Sequence, residues 1–247
     1  MPETSGTSRA VAMLIALGAL LYTARVLELL LATGLDPVRA YASELSAADR
    51  PFGRLFRSTD LAAGLLVLAG SATALPTLPR RPWCVADRAA LAAFGPATAV
   101  DSRLPLSCAP TGDPECAAPE TAGLVPATHT AHAYSSTLAM AGAPAGPAAL
   151  TVAARRYHRW PALGRGGPVL LAVQLAATVW TLTAVAAFEA GRGVWWLGAG
   201  QRLQVLTATG WLAVLALSVA RGSAGPPGRG TGGKDRPDAV ARAVMRH

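Results

Sequence analysis

The sequence predicts an all-α integral membrane protein, a six-transmembrane-helix bundle with both termini cytoplasmic. Three observations predict it. Hydrophobic residues make up 52% of the chain and charged ones only 15%, against roughly a quarter charged in ordinary soluble domains. The apolar residues fall in six long blocks separated by short basic or Pro/Gly-rich stretches. The density of lysine and arginine alternates from one connection to the next, which is how membrane proteins set their orientation.

A span needs about 20 mostly apolar residues to cross roughly 30 Å of hydrocarbon. Segments near 10–34, 59–78, 88–106, 128–153, 167–189 and 198–220 meet or approach that requirement. The first, fifth and sixth are clear. The third and fourth carry Asp101, Arg103, His129 and His132 at their ends and Pro96, Pro144 and Pro147 inside. Proline is tolerated in such helices where neighbours satisfy the freed backbone groups. Without the third and fourth, four spans would remain. Residues 1–9 then form a cytoplasmic N-terminus and 10–221 the membrane domain. The basic, Gly/Pro-rich residues 222–247 form a disordered cytoplasmic tail. Ala32 and Gly34 also fit a small-x-small cleavage site, but Arg25 and Glu28 interrupt the half of the segment that a signal peptide keeps apolar.

Loop charges test this topology independently. With the N-terminus inside, the inner segments hold Arg9, Arg80, Arg81, Arg88, Arg155, Arg156, Arg159 and Arg165, and the tail adds six more. That places fourteen of the 22 lysines and arginines inside, where the positive-inside rule wants them. Trp83, Trp160, Trp195 and Trp196 fall near span ends, where indole rings favour the interface. The net charge of +8 is therefore an orientation signal, and nucleic-acid binding is set aside. A single lysine, no asparagine and abundant Ala, Arg, Gly and Pro suggest high-GC bacterial coding, which makes the cytoplasmic (plasma) membrane the expected location.

Cys84 falls in an inner loop, where thiols stay reduced. Cys108 and Cys116 frame CAPTGDPEC in the outer loop, about residues 107–127, and an oxidising compartment favours a disulfide between them. The long first outer loop interleaves Tyr41, Leu45, Phe52, Leu55 and Phe56 with charges. It reads as a short amphipathic helix along the membrane surface, or more plainly as a lid over the bundle.

The blocks DPVRAYASEL, RPFGRLFRSTDLAAG, AVDSRLPLSC and THTAHAYSS, in this order and spacing, resemble the bacterial polytopic membrane family catalogued as domain of unknown function 998. The resemblance covers about residues 10–220. It implies a multi-span fold with polar residues gathered at the outer helix ends, and it supplies no activity.

Charges in hydrocarbon cost about 2.5–3.5 kcal/mol at a helix centre, so those that occur call for an explanation. Asp60 opens the second span, Asp101 closes the third, and His129 and His132 open the fourth, followed by Ser135 and Ser136. Glu189 closes the fifth span, and Gln201 and Arg202 open the sixth. All fall at outer ends, with Arg25 and Glu28 contributed by the first. His129, His132 and Ser136 share one helix face, and Gln174, Thr178 and Thr181 form a stripe facing the bundle interior. Two imidazoles with Asp101 form a candidate zinc set with an open position for water.

A structural reading stands beside this one. Asp60 and Thr128 can cap their own helices, and Arg202 can pair with Asp101 or Asp60. Three classes of function remain open. One is a polar cluster that binds a ligand, lipid or ion. Another is a metal-dependent hydrolase at the outer leaflet, and the third is a non-catalytic scaffold for membrane partners. No nucleotide-binding glycine loop, GxSxG, HExxH or haem motif occurs.

Overall fold

A computed structural model describes residues 3–74, 81–122, 124–158 and 160–223. Arg80, Arg159 and the basic tail from residue 224 onward lie outside these. The described residues form helices and connections, with no strand. Helix α1 (Glu3–Tyr22) passes directly into a 3₁₀ segment, Thr23–Leu29, and a second 3₁₀ turn covers Ala42–Ser46. Then come α2 (Gly53–Ala74), α3 (Pro82–Asp101), the short α4 (Pro114–Thr121), α5 (Ala127–Arg156), α6 (Pro161–Glu189) and α7 (Leu197–Ser223).

The six long helices close into a ring. Helix α1 packs on α2 and α7, α2 on α3, α3 on α5, α5 on α6, and α6 on α7. Among the described residues, five segments are long and apolar enough to span a bilayer: Gly6–Leu29, Gly53–Ala74, Ala127–Arg156, Pro161–Glu189 and Leu197–Arg221. The chain is a multi-pass membrane protein. Large apolar side chains point outward on these helices, among them Met13, Leu20, Leu65, Val179 and Leu217. A ring whose outer face is apolar is stable only in a hydrocarbon solvent.

Helix α3 falls short of the hydropathy of a span but matches one in length. It runs antiparallel to α5. At one end Asp101 bonds Ser135 and Ser136. At the other, a Cβ on Gly146 would stand 3.7 Å from Asp87 Oδ1. The 14 residues from Asp87 to Asp101 cover about 21 Å along the axis. Asp87 and Arg88, expected in an inner loop, instead lie inside α3, 4% and 5% exposed. Arg88 Nε donates to the carbonyl of Cys84, itself in the first turn and buried. Pro82 explains the early start, because a proline at the first helical position gives up no hydrogen bond.

Other boundaries shift for similar reasons. Helix α2 begins at Gly53, so Asp60 sits two turns inside it and does not cap it. Helix α5 starts after Pro126 with no side-chain cap, so Thr128 does not cap it either. It continues through Pro144 and Pro147 without ending. Helix α6 stops cleanly. Gly191, with φ +68°, and Arg192 return their N–H groups to Phe188 and Ala187, which satisfies the last carbonyls and leaves Glu189 at the helix end.

The apolar core fills one half of the ring. Ile15, Val67, Phe94, Leu150, Leu163, Trp211 and Leu215 meet there. The other half, at the end where α3 leads into the loop of α4, is polar and holds a cavity.

Candidate functional site

The polar end is built from ion pairs that tie the first connection to the helices. In a 3₁₀ turn, residues three apart eclipse each other. The segment after α1 therefore stacks Tyr22, Arg25 and Glu28 on one face. Arg25 Nη2 lies 2.5 Å from Asp60 Oδ2 on α2, and its Nη1 donates to the Ala42 carbonyl. Glu28 receives Arg202 of α7 through both oxygens, at 2.5 Å each. Arg202 Nη1 also donates to the carbonyls of Ala40 (2.8 Å) and Gly198 (3.1 Å). Gln201 Oε1 accepts the Ala42 N–H at 2.6 Å. Arg202 thus pairs with Glu28 and not with Asp101 or Asp60.

These bonds draw residues 40–47 inward. Ala40, Ala42, Glu44, Leu45 and Ala47 are all buried, so this connection is a lid and not a helix on the membrane surface. Glu44, 0% exposed, accepts the Thr111 N–H at 2.8 Å and its hydroxyl at 2.6 Å. Arg57 Nη1 donates to the Ser46 carbonyl, and Ala48 N–H to that of Leu106. Thr111 belongs to the loop closed by the Cys108–Cys116 disulfide, with Cα atoms 6.0 Å apart. The two connections form one cap over the end of the ring.

Beneath the cap lies a cavity of about 360 Å³, within the range of small-molecule sites. Asp101, His129, His132, Ser136 and Gln201 all line it. Asp60 and Arg202 do not line it and are engaged in the ion pairs described above. At its polar centre, Asp101 Oδ1 accepts the hydroxyls of Ser135 (2.6 Å) and Ser136 (2.7 Å). His132 Nδ1 stands 3.1 Å from the same oxygen, and its Nε2 is 3.3 Å from Ser136 Oγ. Helical spacing puts His132, Ser135 and Ser136 within reach of the last residue of α3.

Deeper in the wall are Thr98 and Gln174, 5% and 2% exposed. Thr98 Oγ1 and Gln174 Oε1 have no hydrogen-bond partner among the described residues. Gln204 Nε2 donates to Thr178 Oγ1 at 2.9 Å, so the polar stripe on α6 does face the interior. Ala133 and Thr137 of α5 and Leu182 of α6 both line the cavity and are exposed, so the cavity opens between these neighbouring helices.

Among the described residues, no group of three or more His, Cys, Asp or Glu side chains could hold a metal ion. His129, His132 and Asp101 therefore do not close around one point as a ligand set. His132 Nε2 faces Ser136, and its Nδ1 stands beside Asp101 without a hydrogen bond among the described residues.

Tyr22 and Phe94, which also line the cavity, escaped sequence reasoning, and Tyr41 was read only as part of the first outer loop. Aromatic residues in a span read first as core or lipid contacts. Gln204 left a usable signal, since it follows Gln201 by three residues on one helix face.

The chain belongs to the family described as Protein of unknown function (DUF998), whose model matches residues 15–218. That range takes in α2 to α6 whole, the second half of α1, most of α7 and every residue of the cavity. No curated protein and no solved structure matches the chain.

Proposed function

We propose that this protein binds a small ligand, a lipid headgroup or an ion in the capped cavity, with Asp101 and His132 as its polar anchor. The supporting observation is the cavity itself. It gathers five of the sequence-derived site residues and leaves Thr98 Oγ1 and Gln174 Oε1 without partners among the described residues. Buried polar groups without partners cost roughly 1–3 kcal/mol each, and a bound molecule or water that meets them offsets that cost. In this reading α3 is a sixth span and both termini are cytoplasmic. The disulfide cap faces outward across the cytoplasmic membrane, as the excess of inner arginines favours.

Native mass spectrometry of the detergent-purified chain, beside an Ala139→Phe variant that fills the cavity, tests this. A small mass carried by the wild type and absent from the folded variant is expected. A mass carried equally by both places the ligand elsewhere.

A hydrolytic reading is favoured by one observation, the placement of His132 between Asp101 and Ser136, where an imidazole can move a proton to or from a hydroxyl. Its zinc-dependent form calls for near-stoichiometric metal that disappears in His132→Ala and Asp101→Ala. Metal-free protein without esterase activity removes it and leaves binding, or a scaffold role for the cap.

A further inference from the structure

We infer that the occupant of the cavity carries an organic ammonium group, held by the free carboxylate oxygen of Asp101. This rests on the ligand-binding reading above and names the chemistry of its ligand.

The argument begins with charge. Besides the two histidines, Arg25 is the one basic side chain among the described residues that line the cavity, and it is paired with Asp60. Arg202 beside the cavity is matched by Glu28. Two lining carboxylates remain without an arginine, Asp101 and Glu189. With both histidines neutral the lining carries net negative charge, and a cation relieves it.

The free atoms point the same way. Asp101 uses Oδ1 for both serine hydroxyls and faces His132 with it, and among the described residues no hydrogen bond reaches Oδ2. Gln174 Oε1, on a side chain 2% exposed, is a second acceptor without a donor. Acceptors facing an enclosed space call for a ligand that brings donors or positive charge.

Aromatic rings complete the chemistry. Tyr22, Tyr41 and Phe94 line the same space. The negative face of an aromatic ring attracts alkylammonium groups, and such rings recur where quaternary amines are recognised. A carboxylate with three aromatics is suited to an amine bearing alkyl substituents, and poorly suited to a phosphate or a fatty-acid carboxylate. The opening between α5 and α6 admits either a soluble amine or the headgroup of an amine-bearing lipid.

Thermal unfolding of the full chain in a maltoside detergent, with three probes of one size, separates these cases. The probes are benzyltrimethylammonium, benzyl alcohol and benzoate. Benzyltrimethylammonium is expected to raise the midpoint and to bind about tenfold or more tighter than the alcohol, with benzoate inert. Asp101→Asn should weaken the cation about tenfold and leave the alcohol unchanged. Glu189→Gln, at an exposed helix end, should weaken it a few-fold and carries the test if Asp101→Asn does not fold. Native mass spectrometry with added phosphatidylethanolamine or phosphatidylglycerol then distinguishes the source. Selective retention of the ethanolamine lipid, lost in the same variants, identifies a lipid, and binding of the soluble cation alone identifies a free amine. Alcohol or benzoate binding as tightly as the cation would overturn the ammonium assignment and keep the ligand site. If no probe and neither lipid binds the wild type, the ammonium assignment fails. If the wild type and the Ala139→Phe variant also carry the same mass, the ligand-binding reading fails with it.

Discussion

Arg202 and Glu28 meet through two parallel bonds, Nε to Oε1 and Nη2 to Oε2, both at 2.5 Å. The pair joins the last long helix to the end of the first, and its own side chains are 15% and 5% exposed. A planar fork matched to a carboxylate is a geometry that lysine cannot reproduce. Arg202→Lys should therefore behave like a loss of the pair. Removing one partner of a buried pair costs about 3–5 kcal/mol, because the other charge is left unmatched. Thermal unfolding in detergent should show Arg202→Lys and Glu28→Gln each strongly destabilised, and the double variant no worse than either alone.

Asp60 distinguishes capping from pairing. A cap tolerates Asn with little loss, since Asn caps about as well as Asp. An ion-pair partner does not, because Asn leaves Arg25 uncompensated. With Asp60 two turns inside α2 and 2.5 Å from Arg25, Asp60→Asn should destabilise by about 2 kcal/mol or more. A double-mutant cycle with Arg25→Gln should give a coupling of about 1–3 kcal/mol. Additive behaviour would return Asp60 to a capping role.

The same residues show where sequence reasoning succeeds and where it stops. Apolar blocks and arginine density are one-dimensional signals, and they overlap all six long helices, although several begin about two turns earlier than expected, α2 at Gly53 against 59 and α3 at Pro82 against 88. The polar depth was legible too, because charges near span ends stand out against an apolar background. Partner choice was not legible. Arg202 was paired with the wrong carboxylate because nothing in the sequence announces that α1 tightens into a 3₁₀ turn, and that turn is what presents Arg25 and Glu28 together. Asp87 and Arg88 were placed in a loop because hydropathy averages over all faces of a helix. A helix between two neighbours can hide charge on one face.

Helices α2 and α3 cross at their glycines. A Cβ on Gly64 would stand 2.6 Å from the Gly95 carbonyl oxygen, and one on Gly95 2.8 Å from that of Gly64. The neighbouring atoms are backbone, so they yield only if the helices separate. Close small-residue crossings are a main source of packing energy within membranes. Gly95→Ala should cost about 1–3 kcal/mol by overpacking, and Gly95→Leu should abolish the folded monodisperse species on size exclusion. An unaffected Gly95→Leu would refute the close crossing.

The Cys108–Cys116 bridge and the Glu44–Thr111 bonds restrain the same loop from two sides. A loop this short gives about 2–3 kcal/mol by chain entropy. Cys108→Ser and Glu44→Gln should each lower the unfolding midpoint, and their combination should fall short of the sum, because a loop released once has less to lose. Full additivity would mean that the two contacts hold separate structures.

Helix α3 offers the sharpest test of topology. Its hydropathy leaves it out of the spans that composition alone selects, yet it is aligned with α5 from Asp101 at one end to Asp87 at the other. Asp87 and Arg88 are buried against its neighbours, so low average hydropathy is no obstacle to insertion. Reporter fusions at Arg81 and Gly112 should therefore report opposite sides of the membrane, and a fusion at Trp160 should agree with Arg81. Fusions at Arg81 and Gly112 on one side would make α3 a re-entrant element. The outward placement of the disulfide cap, and with it access to the cavity from outside the cell, would then fail.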